Sequence, residues 1–188
     1  MNAPRVILGV SGASGAALGL SVARQLAALD VEIDLVISAA AHRTLVQECG
    51  PNALADLQML ATRCHPLSNI GASIASGSVP VTGMIIAPCS MRSLAAIAQG
   101  LDDNLLTRSA SVQLKERRRL VLLTREAPLT LAHLRNMTAA TEQGAIILPP
   151  VPAFYLNPDN VTDIVDQIAA RAIDLLALAM PIAKPWAE

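Results

Sequence analysis

The sequence predicts an α/β fold, a parallel sheet with helices on both faces. Short runs that are apolar throughout, such as GMIIA at 83–87 and LVLLT at 120–124, alternate with longer stretches of helical periodicity. Strands covered on both faces read as continuous apolar runs, and a connection long enough to hold a helix makes neighbouring strands parallel. The 188 residues, 53% hydrophobic and 15% charged, can bury a core without a disulfide or metal staple and exclude intrinsic disorder. One domain over 1–188 is expected.

The elements follow in order. RVILGV at 5–10 is a first buried strand, and the Ala/Leu-rich 16–29 a helix opened by a glycine turn. A strand at 31–38 precedes helices at 39–48 and 54–62. The strand at 83–87 runs into a helix at 90–99, and a further helix covers 105–118. The strand at 120–124, a helix at 130–143 and a strand at 145–148 come next, and a helix at 161–180 closes the chain. Four prolines within 149–158 make that segment a loop. Five strands in this order predict a three-layer, Rossmann-like (flavodoxin-like) domain. Ligands of such folds bind beyond the C-terminal strand ends. The segments there are 11–15, 38–41, 88–93, 125–130 and 149–158.

Alanine occurs 33 times, while Phe, Trp and Tyr occur once each, so Leu, Ile, Val and Met must fill the core. A mean hydropathy of +0.46 predicts apolar surface buried between subunits. The net charge of −1 provides no cationic field for nucleic acid or an anionic membrane. Three cysteines without a CxxC suggest neither a disulfide framework nor a zinc site. No apolar run is long enough to span a bilayer, and no signal-peptide layout is present. A soluble protein of a reducing compartment, the cytoplasm, is expected, with no metal.

The turn Ser11-Gly12-Ala13-Ser14-Gly15 places small residues before a helix, where backbone N–H groups can approach an anion. It is not G-x-G-x-x-G, and the second strand ends in Ser38 rather than an acid, so a mononucleotide or simple phosphate is favoured over NAD. A turn without a ligand is the plain alternative. Arg108, Lys115, Arg117, Arg118, Arg119 and Arg125 put six of the 14 basic residues into 18 positions. Arg108 and Lys115 share a helix face and could hold a phosphate or simply face solvent. The three consecutive arginines read better as cations at a helix C-terminus. Glu126 could handle protons or balance charge. His42, His65 and His133 lack ligand spacing and read as helix or loop residues. Cys89 reads as a small buried residue, and Met84, Met91 and Met137 as core. Trp186 should dock a C-terminal tail on its own or a neighbouring subunit.

Several segments together resemble the flavin prenyltransferase family (UbiX-like), within the homo-oligomeric flavin-containing, decarboxylase-like group. They are the first turn, Ala75-Ser76-Gly77-Ser78, Pro88-Cys89-Ser90-Met91, the run DNLLTRSASVQLKERRRLVLLTREAPLTLAHLRN from Asp103 to Asn136, and PPVPAFY ending at Tyr155. LKERR, REAPL and PPxPAFY are the specific ones.

The resemblance implies that reduced FMN sits near Gly12, Ala13, Ser14, Ser38, Ser90, Met91, Arg92, Ser93 and Arg125. It implies dimethylallyl phosphate as second substrate, its phosphate met by Ser14, Arg108, Lys115, Tyr155 and Arg171, some from a neighbouring subunit. Glu48 matches an acidic position near the flavin, Glu126 the proton-handling carboxylate, and Trp186 a tail residue that closes the site. The implied reaction joins the prenyl C1′ to flavin N5 and C3′ to C6 without a metal. Its product would serve a UbiD-like decarboxylase, often in ubiquinone or aromatic-acid metabolism, and the implied assembly is a dodecamer built from trimers. Many relatives read Arg-Ala-Ala-Asp where this chain has Arg108-Ser109-Ala110-Ser111, which leaves the Arg108/Lys115 face without an acid and suggests a preference for a diphosphate donor. A cysteine-type decarboxylase would want a Pro-x-Met-Asn-type loop, which is absent. A non-catalytic flavin carrier or accessory subunit would not need Glu126, Lys115 and Tyr155 together.

Overall fold

The computed structural model describes residues 3–186. Its strands are β1 (Arg5–Val10), β2 (Glu32–Ile37), β3 (Arg63–His65), β4 (Gly83–Cys89), β5 (Arg119–Thr124) and β6 (Ile146–Ile147). They form one parallel sheet in the order β3-β2-β1-β4-β5-β6. The helices are α1 (Ala16–Ala28), α2 (Ala39–Cys49), α3 (Ala53–Leu60), α4 (Met91–Ala98), α5 (Leu105–Lys115), α6 (Leu131–Glu142) and α7 (Val161–Asp174). The expected three-layer architecture is present.

Successive strand residues point to opposite faces, so the sheet divides the core in two. Val6, Leu8, Val10, Ile85 and Val121 pack with Leu26 of α1, Leu45 of α2, Leu57 of α3 and Ile173 of α7. Ile7, Met84, Ile86 and Leu122 pack on the other face with Leu94 of α4, Leu106 of α5 and Ala140 of α6. Two glycines permit close approaches between elements. A Cβ on Gly19 would lie 2.6 Å from the Ala87 carbonyl oxygen, where α1 presses on β4, and one on Gly12 would lie 2.3 Å from the Ala40 Cβ.

Four expectations need correction. β3 lies in a stretch where the sequence predicts no strand; three partly exposed residues at a sheet edge carry almost no apolar pattern. β2 is not apolar throughout, because Asp34 is fully buried in it. α5 stops at Lys115, since Arg117 takes a positive φ of 56° and the Arg118 N–H turns back to the Gln113 carbonyl at 2.9 Å. α7 stops at Asp174, whose carboxylate accepts the Ile182 and Ala183 N–H groups at 2.8 and 3.2 Å, and Ala177 is left-handed at φ 54°.

Asp34 is held by Arg5 of β1, in a bond to Nε and one to Nη2 at 2.9 Å, and by His65 Nε2 at 2.6 Å. Burial pushes its carboxyl pKa up, but the bonds and charges of Arg5 and His65 outweigh this and hold it below the ordinary value. His65 is thus a strand residue within an ionic cluster. Cys89 is buried as expected, and burial pushes its thiol up to about 12. Among the described residues no helix is long and apolar enough to cross a membrane.

Candidate functional site

The C-terminal ends of β1, β4 and β5 are tied together by backbone and serine hydroxyls. The Ser11 hydroxyl donates to the Pro88 carbonyl at 2.9 Å and accepts the Ser90 N–H at 2.7 Å. The Arg125 N–H donates to the Cys89 carbonyl at 3.1 Å, and the Ser38 N–H to the Val10 carbonyl at 2.9 Å. One edge of the sheet therefore collects Gly12, Ala13, Ser14, Ser38, Ser90, Met91, Arg92, Ser93, Arg125 and Glu126.

Two helix starts at this edge carry their own serine caps. Ser38 Oγ accepts the Ala41 N–H at 3.2 Å, and Ser90 Oγ accepts the Ser93 N–H at 3.2 Å. The start of α1 has no side-chain cap of its own. Glu48, at the end of α2, supplies one: its Oε2 accepts the Gly15 and Ala16 N–H groups at 2.8 Å each. The anion at this helix N-terminus is thus the protein's own carboxylate, set where the helix dipole favours it. Sequence reasoning left that place for a ligand, because residue 48 is distant in the chain and only the fold brings it back.

Met91 and Ser93 are buried, whereas Ser14, Arg125 and Glu126 are exposed. Arg92 is ion-paired with Asp103. The Glu126 carboxylate accepts the Ala127 N–H at 3.1 Å. Thr124 Oγ1, which the sequence reading passed over, is buried at this edge without a hydrogen-bond partner. Next to Arg125 it is an unspent polar group of the kind a bound polar ring would satisfy.

The predicted phosphate-binding groups do not gather at this edge within one chain. α5 begins there, where Arg92 pairs with Asp103, and ends at the opposite edge. Lys115 precedes the first residue of β5 by four positions, pairs with Glu116, and lies against Gly77 of the Ala75-Ser76-Gly77-Ser78 loop. Arg171 is in the last turn of α7, and Arg119, at the start of β5, donates to the Leu175 carbonyl at 3.0 Å just beyond it. Arg118 grips the Gly77 and Val79 carbonyls at 2.7 and 3.0 Å. Arg118 and Arg119 are therefore structural, as expected, but they hold carbonyls of other segments rather than their own helix end.

Tyr155 lies in the 149–158 loop, in the short helix Phe154–Leu156, and meets Trp186 edge-on with ring centroids 4.8 Å apart. The tail reaches it by running back along α7, where Gln167 bonds the Lys184 backbone through both amide atoms at 3.0 and 3.1 Å. Trp186 thus docks on its own subunit. The expectation that the Arg108/Lys115 face lacks an acid is overturned: Asp102, from the loop between α4 and α5, accepts Arg108 Nη1 at 2.9 Å and also bonds the Ser111 hydroxyl. The diphosphate preference loses its premise with it. Among the described residues no cluster of His, Cys, Asp and Glu could hold a metal ion.

A family model described as Flavoprotein matches residues 1–173. The flavin prenyltransferase UbiX of Thauera aromatica is 48% identical over 182 residues, covering 97% of this chain and 93% of that protein. The crystal structure of AnUbiX (PadA1) in complex with FMN and dimethylallyl pyrophosphate superposes with a TM-score of 0.95 at 42% identity, over 100% of this chain and 99% of that one. A dodecameric FMN-dependent UbiX-like decarboxylase from Escherichia coli O157:H7 superposes with a TM-score of 0.93 at 42% identity, over 98% and 100%.

Proposed function

The chain belongs to the Flavoprotein family and, within it, to the UbiX flavin prenyltransferases, and from that premise we propose that it transfers a dimethylallyl group from dimethylallyl phosphate to reduced FMN. The observation that carries the reading is the joint presence of two sets of groups on this fold. One edge of the sheet holds small residues, capped helix starts, Arg125 and an unpartnered Thr124 hydroxyl. The surface also carries Arg108, Lys115, Arg171 and Tyr155, the donors that a phosphate needs. A flavin carrier would require only the first set.

The residues fit a flavin. Gly12, Ala13 and Ser14 offer a small-residue floor, and Ser38, Ser90, Met91, Arg92 and Ser93 form its walls. Arg125 can place a planar guanidinium against a ring edge. When bound, the reduced isoalloxazine supplies the electron-rich N5 and C6 that receive the prenyl carbons. Arg108, Lys115, Arg171, Tyr155 and Ser14 hold the donor's phosphate. As the allylic C–O bond breaks, its electron pair leaves with that phosphate, and these donors stabilise the growing charge. Glu126 takes up the proton displaced when the new bond forms and returns it to the departing phosphate. Glu48 fixes the start of α1, which carries the small-residue turn that would hold the flavin. Tyr155 and Trp186 cover the donor and exclude water from the allyl cation.

Because Lys115 and Arg171 lie at the far edge of their own chain, a complete site takes them from another subunit. The protein works as a homo-oligomer, for which the dodecameric relative is the pattern. The chain acts as one domain in the cytoplasm and hands prenylated FMN to a UbiD-like decarboxylase. The test is to mix the protein anaerobically with reduced FMN and dimethylallyl phosphate and weigh the flavin. A gain of one dimethylallyl unit is expected, and unchanged mass would favour the carrier instead. Glu126→Gln should bind FMN normally yet slow transfer about 100-fold or more; full turnover would remove the proton role.

A further inference from the structure

We propose that Asp102 is a positioning residue for the prenyl phosphate: it fixes the guanidinium of Arg108 by one edge and sets how much of its charge the ligand meets. The inference rests on the assignment of Arg108 to the phosphate site. Asp102 sits in the loop that enters α5, two residues before Asn104, whose side chain accepts the Thr107 N–H and caps the helix. Its two oxygens serve two residues of one helix face. Oδ2 accepts Arg108 Nη1 at 2.9 Å, and Oδ1 accepts the Ser111 hydroxyl. Arg108 and Ser111 are three positions apart, hence neighbours on the helix surface.

This arrangement spends only part of the arginine. A guanidinium carries five N–H donors in one plane, and Asp102 takes one through Nη1. The remaining donors on Nε and Nη2 keep a fixed plane to offer an oxyanion. The neighbouring carboxylate repeats the pattern, since Asp103 pairs with Arg92 and accepts the Thr107 hydroxyl at 3.3 Å. Two adjacent acids thus orient two arginines assigned to two different ligands.

Stability alone does not account for the pair. The Arg108 and Asp102 side chains are 38% and 28% exposed, and a pair so open to water contributes little to folding. Its effect is instead on the ligand. A long cation held before binding loses less rotamer freedom on capture. A carboxylate beside it also lowers the net positive charge, which favours the less charged monophosphate donor over a diphosphate.

The experiment compares the wild type, Asp102→Asn, Asp102→Ala and the double variant Asp102→Ala with Ser111→Asp, each with both donors, with thermal melts as the folding control. Asp102→Asn should raise KM for dimethylallyl phosphate roughly threefold to tenfold, from the rotamer freedom that an untethered Arg108 must give up on capture, with kcat and FMN affinity little changed. It should raise KM for the diphosphate less, shifting the donor ratio. An acid at 111 stands one turn beyond Arg108 and can take over its guanidinium, so the double variant should recover most of what Asp102→Ala loses. Wild-type KM values and donor ratio in Asp102→Asn would overturn the inference, as would a double variant no better than Asp102→Ala. A wild type that leaves FMN unchanged in mass removes the function itself; an active wild type with an indifferent Asp102→Asn removes only this assignment.

Discussion

Two variants that should each be strongly impaired, Lys115→Ala and Glu126→Gln, should restore activity when their subunits are mixed. The reason is geometric. β5 runs from Arg119 to Thr124, six residues, and at ~3.3 Å per residue its ends stand about 17 Å apart. Glu126 lies beyond one end, and Lys115 lies before the other, against Glu116 and Gly77. No rotamer of Lys115 spans that length to the Glu126 of its own chain. Under the proposed function a working site then takes Glu126 from one subunit and Lys115 from a neighbour. In a random equal mixture the first requirement is met in half the cases and the second independently in half, so about one quarter of the sites are intact. The assay is anaerobic: co-express or co-refold the two variants, supply reduced FMN and dimethylallyl phosphate, and measure prenylated flavin per subunit. Recovery near one quarter of the wild-type rate is expected. A mixture as silent as its parents, in oligomers shown by mass to contain both subunits, would refute the two-subunit site.

Three further outcomes follow from the geometry. The folded-state pKa of Asp34 lies below its ordinary value, so its stabilisation is complete above the usual carboxylate range and is lost as pH falls through the lowered value. Asp34→Asn should therefore cost about 3 kcal/mol in urea melts at neutral pH, with the gap to wild type closing below pH ~4; a gap independent of pH would contradict the ionic cluster. Glu48→Ala leaves the Gly15 and Ala16 N–H groups without their acceptor and should cost about 1 kcal/mol, as lost helix caps do, whereas unchanged stability would mean that water replaces it fully. The Cys89 thiol, pushed up to about 12, should stay unlabelled by a maleimide at pH 8 while the exposed Cys64 reacts; equal labelling would show that β4 opens readily.

Most of the fold was legible because buried parallel strands announce themselves. GMIIA and LVLLT have no competing reading once helices flank them. β3 was not legible, because an edge strand of three partly exposed residues is fixed by its neighbours: Arg63 by Glu32 at 2.8 Å, and His65 by Asp34 at 2.6 Å. The ends of α5 and α7 were overrun because Arg117 and Ala177 adopt positive φ without being glycine, so no residue type marked the stop. Motif and resemblance supplied the candidate site residues, but not their distribution over the fold. Helical spacing puts Arg108 and Lys115 on one face and says nothing about which edge of the sheet that face approaches.

That distribution gives the exposed apolar residues a role beyond packing. α6 buries only Ala140 among the described residues, and Leu129, Leu131 and Leu134, in the stretch that follows Arg125 and Glu126, stand 41%, 60% and 48% exposed. Val151 and Phe154, in the loop that carries Tyr155, are 68% and 72% exposed. Apolar side chains so placed favour contact between copies. The mean hydropathy of +0.46 belongs to the same account. In the proposed assembly, covering this surface and completing the phosphate site are one event. A polar substitution such as Leu134→Glu should then weaken association and transfer together, while FMN affinity, which the proposed site draws from one chain's own sheet edge, should change less. Monomers that still prenylate at the wild-type rate would separate the two and return Lys115 and Arg171 to a purely structural role.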